Sequence, residues 1–144
     1  MAKMDVQRER LALDDYLDLY RAIGGPWRWD QRVRMPPAQL ASYLDGDACA
    51  IQLLRRAGRA IGFCEFDLTE RPIVQLMNFG LLAEFQGRGW GRALLQCSLA
   101  RAFADGAREV WLHTDGWDHP AALALYLQVG FVVERTELKD PTDL

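Results

Sequence analysis

The chain has 144 residues, of which 50% are apolar and 26% are charged, and its net charge is −3. This length and composition predict one soluble globular domain with a real hydrophobic core. The acidic balance disfavours sequence-independent nucleic-acid binding, which requires a basic face. No apolar run approaches the roughly 18 residues of a membrane span, so we expect neither a nucleic-acid nor a membrane partner.

The cysteines indicate the compartment. Cys49, Cys64 and Cys97 are odd in number and far apart. Without a CxxC pair they favour buried thiols in a reducing compartment over a disulfide framework or a zinc site. The start of the chain, MAKMDVQRER, lacks the apolar core of a signal peptide. We therefore expect a cytoplasmic protein without a metal.

The first third of the chain predicts two helices. In LALDDYLDLYRAIG, apolar residues recur at helical spacing and a glycine ends the pattern. PPAQLASYLDG predicts a shorter helix that starts on proline and stops on glycine. Between them, PWRWDQRVRMPP is an aromatic connection rich in helix-breaking residues.

Three strands should follow, because ACAIQLLR, RAIGFCEFDL and PIVQLMNFGLL are strand-like runs joined by the short turns RAGR and TERP. Short turns predict an antiparallel meander. Downstream we expect a helix after a glycine-rich loop, with Trp90, Ala93, Leu94, Cys97 and Ala104 on one face. A strand in REVWLHT, a helix in DHPAALALYLQVG and a last strand in FVVERTEL complete the prediction. Strands linked through helices require at least one parallel pair, so residues 1–144 should form a single mixed α/β domain.

The loop EFQGRGWGRALLQ, residues 84–96, carries glycines at 87, 89 and 91. A strand that enters such a loop and then a helix presents backbone N–H groups at the positive end of the helix dipole, where phosphate binds well. Arg88 and Arg92 would add donors. The Walker and dinucleotide-binding patterns are both absent. By itself the loop therefore indicates either an anion site or turn chemistry.

Two motifs together resemble the GNAT superfamily of acyl-CoA-dependent N-acyltransferases. LLAEFQGRGWG is similar to the family pattern V-x-P-x-x-[QR]-x-x-G-x-G/A, and HPAALALYLQVGF to N-x-x-A-x-x-L-Y-x-x-x-G-F. The resemblance covers roughly residues 60–135. It implies the GNAT fold, with a mixed, mostly antiparallel central sheet that is splayed at the cofactor site and has helices on both faces.

The resemblance implies that acetyl-CoA is the acyl donor. In the family the loop holds the pyrophosphate of coenzyme A, and the preceding strand pairs its backbone with the pantetheine arm; we expect Gly80 to form a β-bulge there. The implied cofactor-binding residues are Phe79, Gly80, Leu81, Leu82, Gln86, Gly87, Arg88, Gly89, Trp90, Gly91, Arg92, His119 and Tyr126.

For catalysis, the resemblance implies that Tyr126 donates a proton to the departing thiolate. The alternative is a core tyrosine, because Tyr126 lies on an apolar stripe. A backbone N–H near Leu81 is the candidate for polarising the thioester carbonyl.

The general base has several candidates. Some family members carry a glutamate eleven residues before the loop glutamine, but this chain has Gln75, which cannot take a proton. Glu65 and Asp67 share one face of the adjacent strand; we favour Glu65 slightly, and both have the alternative of charges facing water. His119, where the family usually has asparagine, is another candidate, and a relayed water stays open.

The resemblance places the acceptor pocket at the first two helices and their connection, which contains Trp27, Arg28, Trp29 and Arg32. Tryptophans would line an apolar or cation-binding cleft, and arginines would favour an anionic acceptor. Alternatively, the tryptophans only cover the sheet and the arginines solvate the loop.

The leading hypothesis is acetyl transfer to an amine of a small molecule, peptide or protein, by a possible homodimer. The alternative is a non-catalytic acyl-CoA-binding sensor or regulatory module. A plain nucleotide-binding or structural domain would require both motifs to be coincidences.

Overall fold

The computed structural model describes residues 5–114, 119 and 121–134. Within them, five strands form one sheet in the order β1-β2-β3-β4-β5. Neighbouring strands are antiparallel except for β4 and β5, which are parallel. The strands are β1 (Asp5–Arg8), β2 (Cys49–Arg56), β3 (Arg59–Asp67), β4 (Ile73–Leu81) and β5 (Glu109–Leu112).

Helices cover both faces of this sheet, as predicted. They are α1 (Leu13–Gly24), α2 (Gln31–Arg34), α3 (Pro37–Asp45), α4 (Trp90–Ala104) and α5 (Ala122–Gln128). Because side chains alternate along a strand, Phe63 packs with the α1 and α3 core while its neighbour Cys64 packs with Leu95 and Tyr126. The mixed α/β fold predicted from the sequence is therefore confirmed.

Several local predictions differ from the structure. β1 was not predicted, because its four residues show no apolar alternation and all but Val6 are polar. The one-turn helix α2 lies in what was predicted as an irregular connection. Phe131–Glu134 lie outside any strand, and the rest of the predicted last strand, 135–138, lies outside the described residues.

The apolar face of α4 is rotated from its predicted position. Leu94, Leu95 and Ser98 are buried, whereas Cys97 is exposed. The expectation that all three thiols are buried is thus wrong for Cys97, although it holds for Cys49 and Cys64. The sequence was misleading because cysteine and alanine also occur on the exposed side of this helix. None of the helices in the described ranges is long and apolar enough to cross a membrane.

β4 continues past the point where β5 ends. β5 pairs with Ile73 through Leu76 only, so the second half of β4 continues beyond the paired segment. Leu82 N–H donates to the Ile61 carbonyl of β3 at 2.9 Å. Because N–H and C=O groups alternate sides along a strand, the backbone groups of Leu81 point away from β3. They point to the side of β4 where β5 has ended, and this side of the second half of β4 is called the opening between β4 and β5.

The bulge in β4 lies at Met77 and not at Gly80, which corrects the sequence prediction. Glu65 pairs with Asn78 and Phe66 pairs with Leu76, which leaves Met77 as the extra residue. Gly80 pairs regularly with Phe63. Its lack of a side chain serves close packing instead: a Cβ there would come within 2.5 Å of Ile23 and 3.3 Å of Trp29.

Candidate active site

The glycine loop links β4 to α4 directly beside this opening. Gly87 and Gly89 have φ values of 75° and 82°, in the left-handed region that favours glycine. α4 begins at Trp90, and Ala93 N–H donates to the Gly89 carbonyl at 3.2 Å. The backbone N–H groups before Ala93 therefore precede the first helical hydrogen bond of α4, which is the geometry of an anion site.

The Trp90 side chain faces the β2–β3 hairpin. Its ring stacks on Phe85 with centroids 5.3 Å apart, and the guanidinium groups of Arg56 and Arg88 lie 4.9 and 5.8 Å from the Trp90 ring centroid. Trp90 is consequently part of the local packing. Its predicted cofactor contact concerns the backbone, while Arg88 and Arg92 are exposed at the loop.

The start of α4, the end of β4 and α5 meet at one point. A Cβ on Gly91 would lie 3.4 Å from Leu81 and 3.7 Å from both Leu125 and Phe79. Tyr126 is buried, with its ring centroid 6.0 Å from that of Phe79 and 5.9 Å from that of Phe131. Tyr126 thus lies beside the second half of β4.

His119 contacts the glycine loop. Its Nε2 is 3.0 Å from Gln86 Oε1, and its Nδ1 accepts a hydrogen bond from Ala121 N–H at 3.0 Å, ahead of α5. Gln86 Nε2 in turn donates to the Leu81 carbonyl at 3.1 Å. The structure therefore brings three of the predicted site residues, Leu81, Gln86 and His119, into one chain of hydrogen bonds.

Glu65 is fully buried between β3 and the helices α1 to α3. Its Oε1 accepts hydrogen bonds from Tyr16 Oη–H and, at 3.1 Å, from Asn78 Nδ2–H. Its Oε2 accepts from an Arg32 amino group and lies 3.4 Å from Tyr43 Oη. Both carboxylate oxygens of Glu65 are therefore engaged by donors from α1, α2 and β4.

The charges in this buried group balance each other. Burial raises the pKa of Tyr16, and the Glu65 carboxylate raises it further; the same two causes raise the pKa of Tyr43. Burial alone would lower the pKa of Arg32, but Glu65 more than offsets this and the pKa is raised. Arg32 and Glu65 therefore form a charged pair that neutral tyrosines surround.

Asp67, the other carboxylate among the base candidates, lies elsewhere. Asp67 pairs with Gln75 at the far end of β3, six residues of β4 away from Leu81. At about 3.3 Å per residue this is roughly 20 Å. Asp67 Oδ1 accepts a hydrogen bond from Thr69 N–H at 2.8 Å.

The acceptor-side residues have separate roles. Trp29 packs against Tyr20 and Phe63, at centroid distances of 5.5 and 6.3 Å, and covers the sheet. Trp27 is half-buried, and its ring centroid lies 4.7 Å from that of His119. Arg28 is exposed with φ 62°, whereas Arg32 is buried and does not solvate the connection.

Sequence reasoning missed the contribution of Tyr16, Tyr43 and Asn78 to the surroundings of Glu65. Tyr16 and Tyr43 are separated from Glu65 by 49 and 22 residues along the chain. Their positions within α1 and α3 indicated only that they face the core. A buried tyrosine hydroxyl usually has a hydrogen-bond partner, but the sequence does not identify that partner. Across the residues that the structure describes, no group of three His, Cys, Asp or Glu side chains could hold a metal ion.

Comparison with known proteins identifies the family of the chain. The model of the acetyltransferase (GNAT) family matches residues 16–131, so the chain belongs to that family. Mycothiol acetyltransferase from Streptomyces coelicolor is 31% identical over 98 residues. That match covers 67% of this chain but only 31% of the relative, so the chain spans about a third of that protein.

Solved structures share the fold at low sequence identity. An aminoglycoside acetyltransferase from an uncultured soil metagenomic sample, in complex with sisomicin, aligns with a TM-score of 0.73 at 16% identity, over 95% of this chain and 93% of that one. The aminoglycoside N-acetyltransferase AAC(6')-Iy in complex with CoA gives 0.70 at 20% identity, with coverages of 97% and 95%. A GNAT family acetyltransferase from Streptococcus pneumoniae gives 0.67 at 19% identity, with coverages of 95% and 96%.

Proposed function

We propose that this protein transfers the acetyl group of acetyl-CoA to a primary amine. The observation that carries the proposal is the opening between β4 and β5, which has the glycine loop at one end and Tyr126 beside it. An extended polar arm fits such an opening, because the unpaired backbone of β4 offers it hydrogen bonds. The loop amides would bind the pyrophosphate of the same molecule.

Each residue has a defined task in this reaction. Leu81 N–H, on the open side of β4, would donate to the thioester oxygen and stabilise the charge that develops there. The neutral amine attacks the carbonyl carbon and the carbon–sulfur bond breaks. Tyr126 donates its phenolic proton to the thiolate, which leaves as CoA-SH, and the amine proton passes to water and from there back to Tyr126.

Water is the proposed proton acceptor because both oxygens of the Glu65 carboxylate are already engaged in hydrogen bonds. Their donors are the buried Tyr16 and Arg32 and the half-buried Asn78. Under this proposal Glu65 serves the reaction indirectly, by holding Arg32 and the acceptor-side connection against the sheet. Its predicted role as a direct base stays a prediction that replacement by glutamine can test.

The proposed acceptor is a small-molecule amine, with a peptide or protein amine as the alternative. The Trp27 ring lies 4.7 Å from the His119 ring, with the exposed Arg28 next in the chain, and two of the structural neighbours are named as aminoglycoside acetyltransferases. An aromatic rim suits a cationic amine. A reducing cytoplasm, where free thiols and coenzyme A persist, is the proposed setting. A homodimer stays a prediction.

The test begins with cofactor binding. Calorimetry should detect acetyl-CoA and CoA, and thiol release should be measured with a panel of amines that includes sisomicin, spermidine, lysine and a lysine peptide. We expect Tyr126→Phe to lower kcat at least tenfold while KM changes less than threefold, because only the proton transfer is lost. Tyr20→Phe, which removes another buried phenol and its 3.4 Å contact with Arg32 N–H, is the matched control and should lower the kcat of the best amine less than threefold.

The second candidate is a non-catalytic acyl-CoA-binding module, favoured by the engagement of the Glu65 carboxylate in hydrogen bonds and by Gln75. It would bind both CoA forms but release no thiol above background with any amine. If neither acetyl-CoA nor CoA binds at millimolar concentration, both functions are wrong.

A further inference from the structure

The hydrogen bonds from Ala121 through His119 and Gln86 to Leu81 have only one possible direction. A carbonyl can only accept, so the NH2 group of Gln86 faces Leu81 and its Oε1 faces His119. A backbone N–H can only donate, so Nδ1 of His119 is an acceptor towards Ala121. The neutral imidazole therefore carries its hydrogen on Nε2 and donates it to Gln86.

This chain of bonds ends on the peptide group that joins Leu81 to Leu82. Leu82 N–H donates to the Ile61 carbonyl on one side, and the Leu81 carbonyl accepts from Gln86 on the other. The peptide is thus held from both sides at the point where β4 has lost β5 as a partner. The peptide group that is held in this way fixes the orientation of Leu81. It therefore also fixes the direction of Leu81 N–H, which points to the same side of the strand as the Leu81 carbonyl.

The acceptor-side connection reaches the same imidazole. Trp27 packs on the His119 ring with centroids 4.7 Å apart. One side chain consequently contacts three segments: the connection after α1, the glycine loop, and the turn before α5. Both ring nitrogens are engaged in hydrogen bonds, which leaves neither of them to act as a general base for the amine.

We propose that His119 is a positioning residue, which acts as a neutral Nε2–H donor through Gln86 to aim Leu81 N–H at the thioester carbonyl. This inference rests on the proposed function, because it assigns Leu81 N–H its catalytic role. It differs from the contact with coenzyme A that the family resemblance implies for this position, because the imidazole acts through another residue.

Two substitutions test the roles of the two ring nitrogens of His119 separately. In His119→Asn the side-chain oxygen takes the place of Nδ1 and can still accept from Ala121, but the donor to Gln86 is lost. In His119→Gln the amide nitrogen takes the place of Nε2 and can still donate to Gln86, while the bond to Ala121 is lost. Calorimetry with CoA and steady-state kinetics with the best amine of the panel should be measured for both.

We expect His119→Asn to lower kcat about tenfold or more, since small misplacements of a reacting group have effects of that size, while its Kd for CoA stays within threefold of the original. His119→Gln should keep a kcat at least fivefold above that of His119→Asn. Equal losses in both variants would overturn the proposal. So would a loss of CoA affinity without a loss of kcat, which would indicate a direct cofactor contact.

A measurement that needs no activity keeps this test separate from that of the proposed function. Long-range ¹H–¹⁵N spectra of protein labelled in histidine report which ring nitrogen carries hydrogen, and the chain has only two histidines, so the His119→Gln spectrum assigns them. We expect the Nε2–H form at neutral pH. The Nδ1–H form, or a mixture of the two, would contradict the hydrogen-bond direction even if no amine acceptor were found.

Discussion

At Gly89 the backbone conformation of a single residue bears on the proposed cofactor binding. It is the N-cap of α4, with φ 82°, and a Cβ at this position would meet no atom within 4 Å. A side chain would therefore cost strain in the left-handed region without any clash. Gly106, after the other end of α4, is in the same situation with φ 111°.

This pair offers a matched experiment. We expect Gly89→Ala and Gly106→Ala to destabilise the fold by similar amounts, on the order of 1 kcal/mol each. Only Gly89→Ala should weaken CoA binding, by tenfold or more, because relief of the strain moves the loop amides. Thermal unfolding and calorimetry with CoA measure the two effects; equal CoA affinities in both variants would show that the loop does not bind the cofactor.

Among the secondary-structure elements, α2 depends most on a single ion pair. It has one turn, and Arg32 is its buried residue. The Arg32 guanidinium binds Glu65 and lies 4.6 Å from the Tyr43 ring centroid, and its backbone N–H donates to Tyr20 Oη at 3.4 Å. A four-residue helix has little stability of its own, so these contacts determine where it lies.

We expect Arg32→Met to lower the free energy of unfolding by about 3–5 kcal/mol, because it leaves the Glu65 charge buried without a counter-ion. Adding Glu65→Gln should recover at least about 1 kcal/mol of that loss, since no isolated charge then remains. Urea unfolding measures both. Arg34→Met, on the exposed side of α2, is the control and should change stability little; a loss as large as that of Arg32→Met would contradict the assignment.

For the whole molecule, buried thiols predict that the free energy of unfolding decreases at alkaline pH. Burial raises the pKa of the Cys49 thiol from 9.0 to about 12, with a further contribution from Glu65, and burial also raises the pKa of Cys64. The unfolded chain releases these protons near pH 9, whereas the folded protein keeps them. Stability is therefore complete below pH 9 and decreases as the pH rises from there towards 12.

A cysteine variant tests this pH dependence. In a Cys97→Ala background, which removes the exposed thiol, we expect Cys49→Ala to reduce the loss of unfolding free energy between pH 8 and pH 10 by roughly 1 kcal/mol. Urea unfolding at each pH measures it, and the comparison of slopes removes the packing cost of the substitution, which is the same at every pH. An unchanged slope would mean that the Cys49 thiol ionises equally in both states.

The sequence was most informative where local signals determine the structure. The short turns predicted the meander, and the left-handed glycines predicted the junction of β4 and α4. It was least informative where distant segments meet. Gln86 and His119 are 33 residues apart, and the partners of Glu65 come from α1, α2, α3 and β4. The bulge was predicted at Gly80, yet Met77 forms it. The prediction was wrong because close packing of Ile23 and Trp29 requires a glycine at position 80 just as a bulge would.

The second half of β4 resembles an edge strand, because β5 pairs only with Ile73 through Leu76. Such an edge can template pairing with another chain, and among the residues that the structure describes no further strand pairs with this part of β4 on the side of β5. The pantetheine arm of a bound cofactor would act as the missing neighbour of β4. Under the proposed function, occupancy by acetyl-CoA or by CoA would then also limit aggregation, and loss of the cofactor would expose this edge.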